Sequence, residues 1–264
     1  MLTIIRVTLK GIFRDRVFQG IISLAILLLF VPSGASLSMR QVTELSITLS
    51  LSIISFILLL LSVFLGGTSV WKEIERRYTF SVLTLPISRT TYLVGRFLGL
   101  SIFLCLASTL LGLTSLLVVK IASGIYPPDR PVAYGYIMLA ILFATLKYIL
   151  VVGVAILLST VSTSFFLPVF GTICTLVASS VSQEVYEYVH SQAAATALSP
   201  FVRSLASTVY YLLPNFSAFD LKVNAIYAIP PSPEGLLLTL AHFVAWGAIL
   251  VGGASLLFHR REMT

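Results

Sequence analysis

The chain has 264 residues, of which 58% are apolar and 10% charged, and its mean hydropathy is +1.02. Soluble domains carry about 25% charged residues, so this composition excludes an ordinary soluble protein and makes the spanning helix of about 20 residues the unit of the fold. The net charge of +7, from 17 Lys and Arg against 10 Asp and Glu, contains no long basic run interleaved with aromatics, which argues against a nucleic-acid partner; the two cysteines, Cys105 and Cys174, provide neither a disulfide framework nor paired zinc ligands.

Residues 1–16 read as an interfacial helix. Leu2, Ile5, Leu9, Ile12 and Phe13 share one face, while Arg6, Lys10 and Arg14 recur every four residues on another. A signal peptide is the competing reading, from the basic start, the apolar stretch 17–31 and the small-residue run Pro32-Ser33-Gly34-Ala35-Ser36. The length and amphipathic character of the first sixteen residues favour the interfacial helix, and cleavage would leave the later spans oriented as before.

Six apolar runs then qualify as spans: 17–37, 45–70, 93–119, 134–159, 165–181 and 235–258. They are continuously apolar rather than alternating, which excludes a β-barrel and leaves helices as the structure that satisfies the backbone in lipid. The predicted fold is therefore an all-α integral membrane protein with six transmembrane helices in a single transmembrane domain, 1–264. The fifth run is the shortest and starts near Pro168; tilt, extension through Gln183 and partial re-entry all remain open for it.

Charge distribution sets the orientation. With both termini in the cytoplasm, eleven basic residues lie inside: Arg6, Lys10, Arg14, Arg16, Lys72, Arg76, Arg77, Arg89, Arg96, Arg260 and Arg261. Five lie outside, Arg40, Lys120, Arg130, Arg203 and Lys222. The positive-inside rule selects this arrangement, a multi-pass protein of the cytoplasmic (inner) membrane.

The loop 71–88 after the second span is the most informative polar segment. Trp71, Ile74, Tyr78, Val82 and Leu85 step by three or four residues and form an apolar stripe, with Lys72, Glu73, Glu75, Arg76 and Arg77 on the other faces. Glu73 precedes Arg77 by four residues, a pairing worth a few tenths of a kcal/mol. Pro86 ends this helix, and Ser88 is placed to cap the next.

The segment 182–234 should face outside and is long for a bundle connection. Ser199-Pro200 predicts a helix start, followed by the stripe Phe201, Leu205, Val209 and Leu212 and a stop at Pro214-Asn215. Tyr210, Tyr211 and Tyr227 suit headgroup depth, so this segment is expected to lie on the membrane or dip into it.

No soluble chemistry is visible. The five lysines, Lys10, Lys72, Lys120, Lys147 and Lys222, are followed by Gly, Glu, Ile, Tyr and Val, so no P-loop exists. His190, His242 and His259 are too scattered for a helical zinc motif, there is no Gly-x-Ser-x-Gly elbow, and Asp15, Asp129 and Asp220 lie outside the spans. Lys147 stands alone near the middle of the fourth span, where a charge costs about 2.5 to 3.5 kcal/mol on insertion scales. Either it faces a translocation path and meets substrate charge, or it is neutral or satisfied by carbonyls. Gly66, Gly67, Gly247, Gly252, Gly253 and Ser255 are expected to allow close helix packing, and His242 and Trp246 read as packing or interface residues.

The loop together with the layout resembles the permeases of type-2 ABC exporters. In the stretch 75–99, the pieces are Glu75-Arg76, the turn Pro86-Ile87-Ser88-Arg89, and Gly95-Arg96 at the entry to the third span; the amphipathic start, long outer segment and Phe258-His259-Arg260-Arg261-Glu262 ending extend the likeness over the whole chain. The resemblance implies a non-enzymatic permease that pairs with a second copy or paralogue and docks two cytosolic ABC ATPase subunits, which would bind ATP and Mg; this chain itself holds no cofactor or metal. It also leaves room for an extracytoplasmic accessory protein. It implies that the helix from Trp71 couples the two, with Glu73, Glu75, Arg76 and Arg77 entering an ATPase groove while Trp71, Ile74 and Tyr78 hold it to the membrane domain. An accessory or scaffold subunit is the alternative. A secondary transporter is disfavoured because the spans lack coupling carboxylates.

Overall fold

Long apolar runs leave the backbone few ways to satisfy its hydrogen bonds in lipid, and all the described regular elements of the chain are helices. The structure, a computed structural model, describes residues 2–14, 18–20, 23, 26, 34, 42–75, 88–125, 131–191 and 199–260. The elements are α1 (Leu2–Arg14), α2 (Val42–Glu75), α3 (Arg89–Ile125), α4 (Tyr134–Val161), α5 (Phe166–Val189), α6 (Pro200–Leu212), a 3-10 turn (Ser217–Phe219), α7 (Lys222–Tyr227) and α8 (Pro233–Arg260). Among the described residues, five helices, α2, α3, α4, α5 and α8, are long and apolar enough to cross a membrane. Most of the predicted first span, 17–37, lies outside the described residues.

The five helices run antiparallel in sequence order, so the bundle has a near end, where α2 leaves and α3 enters, and a far end, where α3 leaves and α4 enters. α4 is the hub, packed against α2, α3, α5, α7, α8 and the 3-10 turn. Lipid supplies little hydrophobic drive between helices, so small residues that admit a neighbouring backbone decide where they meet. A Cβ on Gly66 would stand 2.8 Å from Ala155 Cβ and one on Gly67 3.3 Å from Pro168 Cβ, which places α2 directly on α4 and the start of α5. In α8 the effect is weaker. Gly247 and Gly253 make ordinary contacts with Leu150 and Leu157, and Gly252 faces open space.

The N-terminal helix is tied down rather than simply floating on an interface. It packs on α3 through the Gly95-x-x-x-Gly99 step, where Ile4 and Thr8 occupy the space that two Cβ atoms would need. Arg96, between those glycines, donates to Thr8 Oγ1 at 3.2 Å and to the Ser69 carbonyl at 3.2 Å, joining α1, α3 and the end of α2. This turns the helix relative to the predicted stripe: Thr8 and Ile12 are buried, whereas Leu2 and Phe13 are exposed. Phe13 and Phe18 meet Phe103 edge-on at 5.8 and 5.0 Å.

Helix ends follow local chemistry. Ser88 caps α3 as expected, its Oγ accepting from the Thr91 N–H at 3.1 Å. Arg89 donates to the Phe258 and His259 carbonyls, binding the start of α3 to the end of α8, where a cation also suits the helix dipole. The fifth helix runs to Val189, well past the apolar limit at 181, so of the readings open for it the extended one holds. Pro200 begins α6 as expected and the helix stops at Leu212, but Ser199 makes no side-chain cap.

The segment between α6 and α8 is the least regular part of the fold. Of the two courses open to it in the sequence, lying on the membrane or dipping into it, the fold-back among the helices is nearer the second: Phe216 and Phe219 are fully buried, and α7 packs against both α2 and α4. Ser217 Oγ donates to the Ser180 carbonyl of α5 at 2.8 Å, and Thr239 Oγ1 of α8 reaches the Ala218 carbonyl. The chain turns out again at Ala228, which has φ 54° and ψ 33° at the end of α7. An alanine in this left-handed region costs about 1 to 2 kcal/mol that glycine avoids. Ala228→Gly should therefore raise the thermal midpoint of the protein in nanodiscs, and Ala228→Val should lower it.

Candidate functional site

Two features stand out, one inside the bundle and one at its near end. Lys147 is the fourteenth residue of α4, about 20 Å of helix rise from Tyr134. It is half-buried and lines a cavity of about 40 Å3 with Tyr148, Ser55 of α2, and Asp220 and Lys222 of the returning segment. Its ammonium also stands 5.7 Å from the Tyr148 ring centroid. The Asp220 charge attracts Lys147 and the Lys222 charge repels it. Two cations and one carboxylate thus share a small polar space walled by Leu51, Ile54 and Phe219.

Sequence reasoning found Lys147 but not its surroundings. Asp220 lies in a connection interrupted by Ser217, Lys222 and Asn224, with no apolar run of spanning length, so sequence placed it outside the spans; the fold-back brings its carboxylate to the cavity. The signal was present in Phe216 and Phe219, two aromatics on either side of a short turn with no exposed role. Asp220 Oδ1 accepts the Lys222 N–H at 3.1 Å, which starts α7 and fixes the carboxylate at the cavity mouth.

At the near end, α2 continues without a break to Glu75, so Trp71 belongs to the same helix as the second span rather than to a separate element. The Ser159 hydroxyl of α4 accepts the Trp71 N–H at 2.9 Å and donates to the Gly67 carbonyl at 2.9 Å. Those two groups are the i and i−4 partners of one helical step. The hydroxyl therefore ties α2 to α4 at this step, close to the near end of the bundle. Trp71 Nε1 reaches the Thr163 carbonyl at 3.4 Å and its ring meets Phe165 edge-on at 5.8 Å, so the indole is held by the turn between α4 and α5.

Of the predicted coupling residues, Trp71 is thus packed on the bundle. Glu73 and Glu75 are placed by their backbone in the last turn of α2, while Arg76, Arg77 and Tyr78 lie outside the described residues. Ser159 was not foreseen, since a lone serine near the end of an apolar run carries no signal. Lys147 and Trp71 are not brought together: they sit in the middle and at the near end of the bundle. Among the described residues no group of three His, Cys, Asp or Glu side chains is placed to hold a metal ion. No protein-family model and no curated protein sequence matches the chain.

Proposed function

We propose that the chain is the membrane-spanning permease subunit of an ATP-driven exporter of the type-2 ABC class. In this reading residues 17–37 supply a sixth span, both termini and the near end face the cytoplasm, and the protein resides in the cytoplasmic membrane. The observation that carries the proposal is the α2 extension. A helix long enough to span is held at Trp71 by Ser159 of α4 and by the α4–α5 turn, its last turn carries Glu73 and Glu75, and Arg76 and Arg77 follow in the sequence. A cytosolic ATPase pair that grips this run would pull on a helix that Ser159 ties to α4 at the Gly67–Trp71 step, and the motion would pass to α4. ATP and Mg would be bound by those partner subunits, and a second copy or paralogue would complete the path.

The test is ATP turnover by the cognate ATPase with and without this chain in the same proteoliposomes. Turnover that depends on the chain supports the proposal; turnover indifferent to it contradicts it.

One observation favours a second reading. Asp220, at the mouth of the cavity that Lys147 lines, places a carboxylate beside the cation of the fourth span, and an ion-coupled secondary transporter would use such a pair. Transport driven by an ion gradient without ATP would select that reading. A scaffold subunit would show neither dependence.

A further inference from the structure

A second cavity, of about 350 Å3, lies between α6, the connection into the 3-10 turn and the first half of α8. It falls in the range of about 300 to 1,000 Å3 usual for ligand sites, whereas the space beside Lys147 is far smaller. Its walls include Tyr210, Tyr211, Asn215, Thr239, His242 and Trp246. The mouth opens on the exposed flank of a helix apolar enough to span a membrane: Tyr211 is 70% exposed and the rim residue Leu238 68%.

The lining has two chemical properties that select a ligand. Among the described residues it contains no Asp, Glu, Lys or Arg, so a charged headgroup seated there would lose water without gaining a counter-ion. It also presents N–H donors. The Asn215 backbone N–H donates to His242 Nε2 at 3.1 Å, which keeps that nitrogen unprotonated and leaves the ring proton on Nδ1. Among the described residues neither His242 Nδ1 nor Trp246 Nε1 has a hydrogen-bond partner. The aromatic rings are held in place around them. Tyr210 stacks on Tyr186 at 4.3 Å and meets Tyr211 edge-on at 5.3 Å, while Trp246 lies 6.2 Å from His242.

Aromatic faces beside neutral donors suit a molecule with C–H faces and many hydroxyl oxygens and no charge. We propose that this cavity binds the uncharged sugar headgroup of a membrane glycolipid, taking its hydroxyls on His242 and Trp246 and its ring against Tyr211. A free sugar offers the same chemistry, but the mouth on the spanning helix gives the lipid's acyl chains a place to lie. A choline headgroup meets the rings less well, because its phosphate finds no cation in the lining. The proposal is independent of the permease reading and concerns a different part of the bundle.

Trp246 reports on the site directly, since the chain has 2 tryptophans and Trp71 lies away from the cavity, at the near end of the bundle. The Trp71→Phe protein in phosphatidylcholine nanodiscs is titrated with glucosyl diacylglycerol brominated on its acyl chains, and separately with brominated phosphatidylcholine and brominated phosphatidylglycerol. The glucosyl lipid is expected to half-quench Trp246 at a several-fold lower mole fraction than the other two, and Tyr211→Ala or His242→Phe should erase the difference. Unequal quenching that survives both substitutions, equal quenching by all three lipids, or preference for either phospholipid would overturn the proposal. Added methyl glucoside separates the sources: relief of quenching assigns recognition to the sugar alone, and persistence of the lipid preference assigns it to the whole glycolipid. If Trp71→Phe does not fold, the same signal is obtained as the difference between the natural protein and Trp246→Phe.

Discussion

Arg76→Glu combined with Arg77→Glu is expected to release the partner ATPase while leaving membrane insertion and the thermal midpoint unchanged. The two arginines follow the last described turn of α2, so no described packing contact is lost with them. Reversing both inverts the charge that this run presents to a partner, and like charges across an interface cost several kcal/mol, or about 100-fold or more in affinity. Ser159→Ala provides the contrast. It removes the hydroxyl between Gly67 and Trp71, where an interhelical hydrogen bond in a membrane protein is worth about 0.6 kcal/mol on average, and should leave the ATPase bound while weakening the dependence of ATP turnover on the permease. Native ATPase affinity in the double arginine variant, measured by detergent pull-down, would contradict the coupling role of the α2 extension.

The second large effect concerns Lys147. Lys147→Met should fold, because the side chain is only half-buried and Asp220 is exposed toward the cavity mouth, but transport should fall by about 10- to 100-fold, the loss expected for a charge-assisted contact of about 1.5 to 3 kcal/mol. Asp220→Asn separates the two roles that Lys147 can play. If Lys147 only balances Asp220, the double variant Lys147→Met with Asp220→Asn regains both stability and activity. If Lys147 meets a negatively charged substrate in the path, the double variant is stable and inactive, which is the outcome expected here. Normal transport by Lys147→Met in reconstituted vesicles would remove Lys147 from the mechanism.

Much of this fold is legible in the sequence because lipid simplifies it. An apolar run of sufficient length forms a helix, whatever its neighbours are, and α2, α3, α4 and α8 each cover their predicted runs with some added residues at one or both ends. Ser88 and Pro200 mark helix starts because caps and first-turn prolines act within a few residues. What sequence does not resolve depends on which surfaces meet. Hydropathy places Asp220 in a loop; the burial of Phe216 and Phe219, a tertiary event, brings it beside Lys147. The contact face of α1 likewise depends on Gly95 and Gly99, far away in the chain, which admit Ile4 and Thr8 rather than the more apolar stripe. Ser159 acts at a single step of another helix, and His242 and Trp246 look like packing residues until the connection through Asn215 closes a cavity around them.

The claim on which this account turns is that the near end of the bundle grips an ATPase. Affinity purification of the chain from its native membrane in mild detergent, with identification and counting of what copurifies, tests it most directly. The account predicts a P-loop ATPase in two copies per pair of permease chains, lost when Arg76 and Arg77 become glutamate; a well-folded chain that brings down no ATPase would contradict it.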